Sequence, residues 1–181
     1  LYCDKELKKL LNVAILNNHG HKISKLAKLE QGEICSELEK LNSVEEQFQV
    51  QIDRLVIAMV DLDQRRFEKI IADSTLNVGF EETAIKVLYP FLQKVGVMWQ
   101  TDNINPAQEH FISSLIIQKL YVAIDQVYQP EKTNEKKALL FLPEGEYHEI
   151  GLLFFRYLMK KRGYETIYLG QSVPYNDLKK E

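Results

Sequence analysis

The hydrophobic period changes once along these 181 residues, and that change commits the chain to a helical region followed by an α/β element. Through Leu120 the apolar residues recur three and four positions apart. At Lys137 to Leu142 the sequence instead reads Lys-Ala-Leu-Leu-Phe-Leu, apolar on both faces as a buried parallel strand is. Between the two patterns, Tyr128 to Glu135 is polar and contains Pro130, which marks the best linker. After the strand a helix is expected from about His148 to Lys161, stopped by Gly163. Thr166-Ile167-Tyr168-Leu169 then reads as a second strand closed by Gly170, completing a βαβ unit, with Pro174 and Asp177 opening a further helix. Two parallel strands with a helix on one side leave the other face bare, so the chain is expected to be part of a longer protein.

The helical region subdivides. Leu7, Leu10, Leu11, Ile15 and Leu16 follow Asp4, a candidate N-cap, and Asn17-Asn18-His19-Gly20 ends that helix before a short one marked by Ile23, Leu26 and Leu29. Asn42 and Ser43 look like the entry to a long helix running through about Val60. Its apolar face is drawn from Val44, Phe48, Ile52, Leu55, Ile57 and Met59. A further piece carries Phe67, Ile70 and Ile71. Another runs from Glu81 to Trp99 with Ile85, Leu88, Leu92 and Val95 on its apolar side and a kink expected at Pro90. The last begins cleanly: Asn105 can cap, Pro106 suits the first helical position, and Gln108 completes a capping box ahead of Phe111, Ile112, Leu115, Ile116 and Leu120. Four helices with short connections predict a small antiparallel bundle.

Composition narrows the function classes. A hydrophobic fraction of 45% argues against wholesale disorder, and a formal charge of -3 gives no electrostatic case for nucleic-acid binding by the chain as a whole. Cys3 and Cys35 lie far apart without metal-ligand spacing, which reads as free thiols in a reducing cytoplasm. No apolar run approaches membrane-spanning length. A soluble, cytoplasmic protein that does not engage a membrane is expected.

Two constellations carry chemistry. His148 falls in the turn after the first strand, at the carboxyl end of a parallel sheet, where ligands gather in open α/β folds. An imidazole there can coordinate a metal through one nitrogen while Glu146 accepts a hydrogen bond from the other. Gly151 would allow close backbone approach of a bulky cofactor at the helix start. Taken alone, Glu-x-His-x-x-Gly equally describes a surface histidine in a polar loop. The second constellation is Trp99, ending one helix, with Glu109 and His110 in the first turn of the next. The indole could wall a pocket while the acid and the imidazole bond a polar ligand such as a ribose, and Gly96 would leave room beside the ring. A core tryptophan with an exposed acid and histidine is the plain alternative. His19-Gly20-His21 resembles a metal pair but lacks a third ligand, and a solvated turn fits it better.

In this order the motifs resemble those of MerR-type transcriptional regulators with a C-terminal cobalamin-binding half, the CarH/LitR-like photoreceptors. Tyr2-x-Asp4-x-x-Leu7-x-x-Leu10-Leu11, through Gly20 and Ile23 to Leu29, resembles the latter part of a MerR DNA-binding domain. Trp99, Glu109 and His110 match the family's Trp-x9-Glu-His cap signature, and Glu146, His148 and Gly151 match the corrinoid-binding signature. The resemblance implies a multi-domain α plus α/β chain. Residues 1–41 would be the end of the MerR-type domain, 42–129 a four-helix-bundle cap, 130–136 a linker and 137–181 a truncated Rossmann-like cobalamin-binding unit. It implies adenosylcobalamin as cofactor, His148 as the lower axial ligand of cobalt, and Trp99, Glu109 and His110 around the upper adenosyl group. It further implies a non-enzymatic repressor, a homo-oligomer (tetramer or dimer) on a DNA operator, whose assembly is gated by adenosylcobalamin and released by light. Two departures stand out. Gln100 follows the cap tryptophan where a light sensor can place a cobalt-capturing histidine, and the later segments that grip the nucleotide tail do not occur within residues 1–181. This chain by itself is therefore expected to hold cobalamin poorly. A corrinoid methyl carrier of a methyltransferase system and a cobalamin-independent MerR-type regulator are the alternatives.

Overall fold

A computed structural model of the chain describes residues 4–18, 20–39, 44–128, 137–176 and 178. Cys3, His19, the Asn42-Ser43 helix entry, the linker residues 130–136 and Asp177 lie outside the described residues. The described part is mostly helical with one small parallel sheet, and it divides into two compact units, Leu1–Glu109 and His110–Glu181.

The first unit opens with α1 (Asp4–Asn18), α2 (Ile23–Leu26) and α3 (Gln31–Glu39). Gly20, at φ +88°, closes α1: its N–H donates to Asn17 O and the N–H of His21 to Leu16 O, the paired bonds of a left-handed helix stop. None of these helices is long enough to bury its own stripe, so Ile15, Leu16, Leu26 and Ile34 collect into one cluster. Val50, from the next helix, completes it.

That helix, α4 (Val44–Val60), is the axis of the unit: Ile52 and every residue from Leu55 to Met59 are buried. Asp63 caps α5 (Gln64–Val78) by accepting from the N–H of Arg66, and Gly79 turns the chain into α6 (Phe80–Thr83). A π-helical turn, Ala84–Leu88, then joins α6 to α7 (Tyr89–Gln100). The π turn is how the chain accommodates Pro90. Proline offers no N–H and crowds the carbonyl one turn before it, and a wider turn just ahead relieves both conflicts. The same wide turn breaks the regular 3.6-residue period, so Ile85 is exposed while Val87 and Phe91 are buried beside Leu88 and Val95. Phe91 meets Phe67 of α5 edge to face, with ring centroids 5.8 Å apart. The hydroxyls of Ser74 and Thr83 share a buried hydrogen bond of 3.0 Å. Asp53 of α4 accepts from Lys94 Nζ of α7 at 2.5 Å and from Gln49 Nε2 at 3.3 Å, which ties the two helices side to side.

The next helix, α8 (Pro106–Gln126), begins in this unit and continues into the second. The second unit adds β1 (Lys137–Pro143), α9 (Ile150–Lys161) and β2 (Glu165–Val173), with the strands parallel and in register Lys137↔Glu165 through Leu140↔Tyr168. Leu153 and Tyr157 of α9 and Leu140 of β1 are buried. Lys160 Nζ donates to the carbonyl of Ile124 near the end of α8 at 2.9 Å, a cation at the negative end of a helix. Gly163, at φ +79°, stops α9, its N–H on Lys160 O and that of Tyr164 on Met159 O. Gly170 does not close β2 as its sequence suggests. At φ +85° it forms a bulge, the register slips to Phe141↔Gly170 and again to Pro143↔Val173, and the strand runs on. Pro174 to Asn176 follow in irregular and turn conformation, and most of the helix expected beyond them lies outside the described residues.

Candidate functional site

The helical candidates stand on either side of a tight connection. Trp99 lies in the last turn of α7 and is 46% exposed. The helix is stopped by Asp102 at φ +54°, whose N–H donates to Trp99 O while the N–H of Asn103 donates to Met98 O. Aspartate tolerates this left-handed backbone better than most residues do, and Thr101 adds its hydroxyl to Val97 O at 3.0 Å. Ile104, buried in the middle of the connection, anchors it. The next helix starts with reciprocal caps: the N–H of Gln108 donates to Asn105 Oδ1 and the N–H of Asn105 donates to Gln108 Oε1, each at 3.0 Å. Gln108 Nε2 also donates to Val60 O at 3.3 Å, so the start of α8 is tied to the end of α4. Glu109, half-buried, and His110, exposed, follow immediately. Gly96 is exposed, and a Cβ there would meet nothing within 4 Å, so the surface one turn before Trp99 is open.

In the second unit the loop between β1 and α9 gathers Glu146 and His148. Gly145, at φ +85°, reverses the chain beyond β1, and Glu146 N–H donates to Pro143 O. Glu146 Oε1 then accepts from the backbone N–H of His148 at 2.8 Å and faces the ring Nδ1 at 2.6 Å. The backbone N–H of His148, then its ring, hold the Glu146 carboxyl below the usual carboxylate range. With Nδ1 committed to a carboxylate, the ring presents Nε2, and the side chain is 96% exposed. Gly151 lies exposed in the first turn of α9, where a Cβ would meet nothing within 4 Å.

The loop is fastened to the far end of β2. Gly145 N–H donates to Ser172 Oγ at 3.1 Å, and the N–H of Ser172 donates to Glu146 O at 3.1 Å. Ser172 adopts φ +51°, a conformation a serine holds only where its surroundings impose it. Glu149, next to His148, accepts from Tyr168 Oη of β2 at 2.5 Å, and the Arg156 guanidinium lies 4.9 Å from the centre of the Tyr168 ring. Burial, then the Glu149 carboxylate, push the Tyr168 phenol well above its ordinary pKa. Neither Ser172 nor Tyr168 stands out in the sequence, because the relation of Tyr168 to the loop depends on the pairing of β2 with β1 and that of Ser172 on the bulge beyond it. The phrase Gly170-x-x-Val173-Pro174 at the strand end was the available signal.

Chemically, one exposed imidazole backed by a carboxylate supplies a single metal donor. Among the described residues no group of three or more His, Cys, Asp and Glu side chains could hold a bare metal ion. A single donor of this kind suits the axial position of a metal whose other positions are filled by a macrocycle. Among the described residues no helix is long and apolar enough to cross a membrane.

Residues 51–124 match the model of the B12 binding domain. That segment runs from within α4 to near the end of α8 and contains Trp99, Glu109 and His110. The chain is 33% identical over 93 residues to the HTH-type transcriptional repressor CarH of Myxococcus xanthus, an alignment covering 51% of this chain and 30% of the relative. It is 30% identical over 106 residues to the HTH-type transcriptional repressor CarA of the same organism, covering 59% of this chain and 34% of the relative. The chain thus spans about a third of the length of the curated relatives it matches.

Proposed function

We propose that this chain is the sensory part of a cobalamin-dependent transcriptional repressor, of MerR type, rather than an enzyme. The observation that carries the reading is the match of residues 51–124 to a B12 binding domain, joined to a loop farther on in which Glu146 holds the His148 ring with Nε2 outward. The similarity to two repressors supports a regulator over a methyl carrier. Within this reading residues 1–41 finish a DNA-binding domain, 42–129 form the cap and 137–181 begin the Rossmann-like cobalamin unit, joined by the linker 130–136. The protein works in the cytoplasm on a DNA operator as a tetramer or dimer.

The residues fit the group. His148 would bind cobalt from below through Nε2, with Glu146 fixing the tautomer and making the imidazole a better donor. Trp99 would offer an apolar surface to the cofactor's adenosyl group, and Glu109 and His110 would offer it hydrogen-bonding groups. Gly151 would let the backbone come close to the corrin. Adenosylcobalamin would supply a light-labile cobalt–carbon bond. Gating is then linkage: a ligand that binds the assembled state better than the separate subunits shifts the population toward assembly, and losing that preference reverses it. Gln100, exposed beside Trp99, offers an amide where an imidazole would be needed to capture cobalt, so a light product held by two protein imidazoles is not expected.

The test is to incubate full-length protein with adenosylcobalamin in the dark, desalt it, and follow its visible spectrum and oligomeric state under green light. Retained colour, a spectral change on illumination and a smaller particle afterwards are the expected results. A colourless protein after desalting would overturn the cobalamin reading. A coloured protein unchanged in size by light would overturn the light gate.

A further inference from the structure

Glu149 stands immediately before α9, where a side chain commonly caps the helix, yet its carboxylate makes no cap bond. Its carbonyl accepts the first helical N–H, from Leu153 at 2.8 Å, while its side chain turns to β2 and accepts the Tyr168 hydroxyl. A helix start that forgoes its local cap in favour of a contact from another element gains position in exchange for local stability. Tyr168 is itself held on the α9 side by Arg156 across its ring, and its raised pKa keeps the phenol a donor throughout the neutral range.

The residue so fixed is the neighbour of His148. On the other side of the histidine, Ser172 holds Gly145 and Glu146 through two bonds of 3.1 Å each. The backbone of His148 is therefore clamped before and after by the same strand, and its ring is fixed at Nδ1 by Glu146. Two bonds of the clamp come from the N–H and the Oγ of Ser172, whose backbone is itself strained. The third is a side-chain contact that one oxygen atom can remove.

We propose that Tyr168 is a positioning residue for His148: through Glu149 it fixes the start of α9 and so the direction in which the imidazole leaves the loop. This rests on the reading of His148 as a cobalt ligand. Axial ligation tolerates little displacement, roughly 0.5 Å for a productive geometry, so a loop anchored at one end only would spend much of its time with the ring out of reach.

The experiment compares Tyr168→Phe, Glu149→Ala and His148→Ala with the parent full-length protein. Hydrogen exchange of the loop amides is measured without cofactor, and the visible spectrum with adenosylcobalamin in the dark. Deleting the phenol oxygen should speed exchange at His148 about fivefold, the equivalent of one hydrogen bond, and lower the ratio of His-on to His-off cofactor by about the same factor. Glu149→Ala should reproduce both effects. Parent-like exchange and spectrum in Tyr168→Phe would overturn the positioning role. An effect in Tyr168→Phe that Glu149→Ala does not share would overturn the route through Glu149. If His148→Ala leaves the spectrum unchanged, the ligand reading itself fails, and the exchange data then report only a brace on α9.

Discussion

The starts of α8 and α9 both lie beside candidate cofactor residues, and they are built in opposite ways. Ahead of α8, Asn105 and Gln108 satisfy each other's backbone N–H groups within four residues of chain, so Glu109 and His110 emerge from a helix end that is largely self-sufficient. Ahead of α9, the Glu149 side chain makes no cap bond, and order comes from Ser172 and Tyr168, more than twenty and nearly twenty residues downstream. The first arrangement forms with its own helix. The second forms only when β2 pairs with β1. Under the proposed reading, in which this loop carries a metal ligand, dependence on tertiary structure is what would allow the ligand to be coupled to it.

The comparison breaks most visibly in the core beneath the loop. Leu153 is fully buried on α9, and Leu153→Ala should cost about 2–5 kcal/mol by loss of burial and an unfilled cavity. Denaturant unfolding would measure the loss. The loop amides around His148 should lose protection with it, while those of Glu109 and His110 change little. Equal loss in both places would mean that the two starts are not independent.

A smaller effect belongs to the α8 cap. Asn105→Ala should cost about 1 kcal/mol, the usual worth of an N-cap, seen as a lower Tm and faster exchange at Gln108 and Glu109. Protection around His148 should stay as it was. A loss there instead would remove the distinction between a local and a borrowed start.

The smallest effect is in pH. Because the folded pKa of Glu146 is lowered, its bonds to His148 contribute fully above the ordinary glutamate pKa and are lost as pH falls through the lowered folded value. NMR titration of the Glu146 carboxyl should give a midpoint below that of an ordinary glutamate, and the His148 amide shift should move over the same range. A midpoint at or above the ordinary value would mean that the carboxylate does not hold the loop.

What the sequence makes legible follows the same division. The capping box at Asn105-Pro106-x-Gln108, the stop at Gly163 and the stripe of Phe111, Ile112, Leu115, Ile116 and Leu120 are short-range features; the first two are found as read, and the stripe is buried except at Phe111, which is half-buried. The Glu146–His148 contact spans two residues and was readable for the same reason. Less legible are features set by register or by a change of helical period. A regular helix would put Ile85 in the core, and the π turn ahead of Pro90 leaves it outside. Gly170 looks like a strand end, although the bulge it allows is what brings Ser172 to Glu146. Tyr168 carries no motif at all; only the pairing of Leu140 with Tyr168 in a parallel sheet puts its hydroxyl against the start of α9.

The central claim, that His148 ligates cobalt from below, is tested most directly by electron paramagnetic resonance of the cobalt(II) cofactor in protein uniformly labelled with nitrogen-15. Ligation by His148 predicts superhyperfine doublets from the labelled imidazole in the parent protein, and their absence in His148→Ala. Triplets from the cofactor's own unlabelled base, or doublets that persist in His148→Ala, would contradict the account.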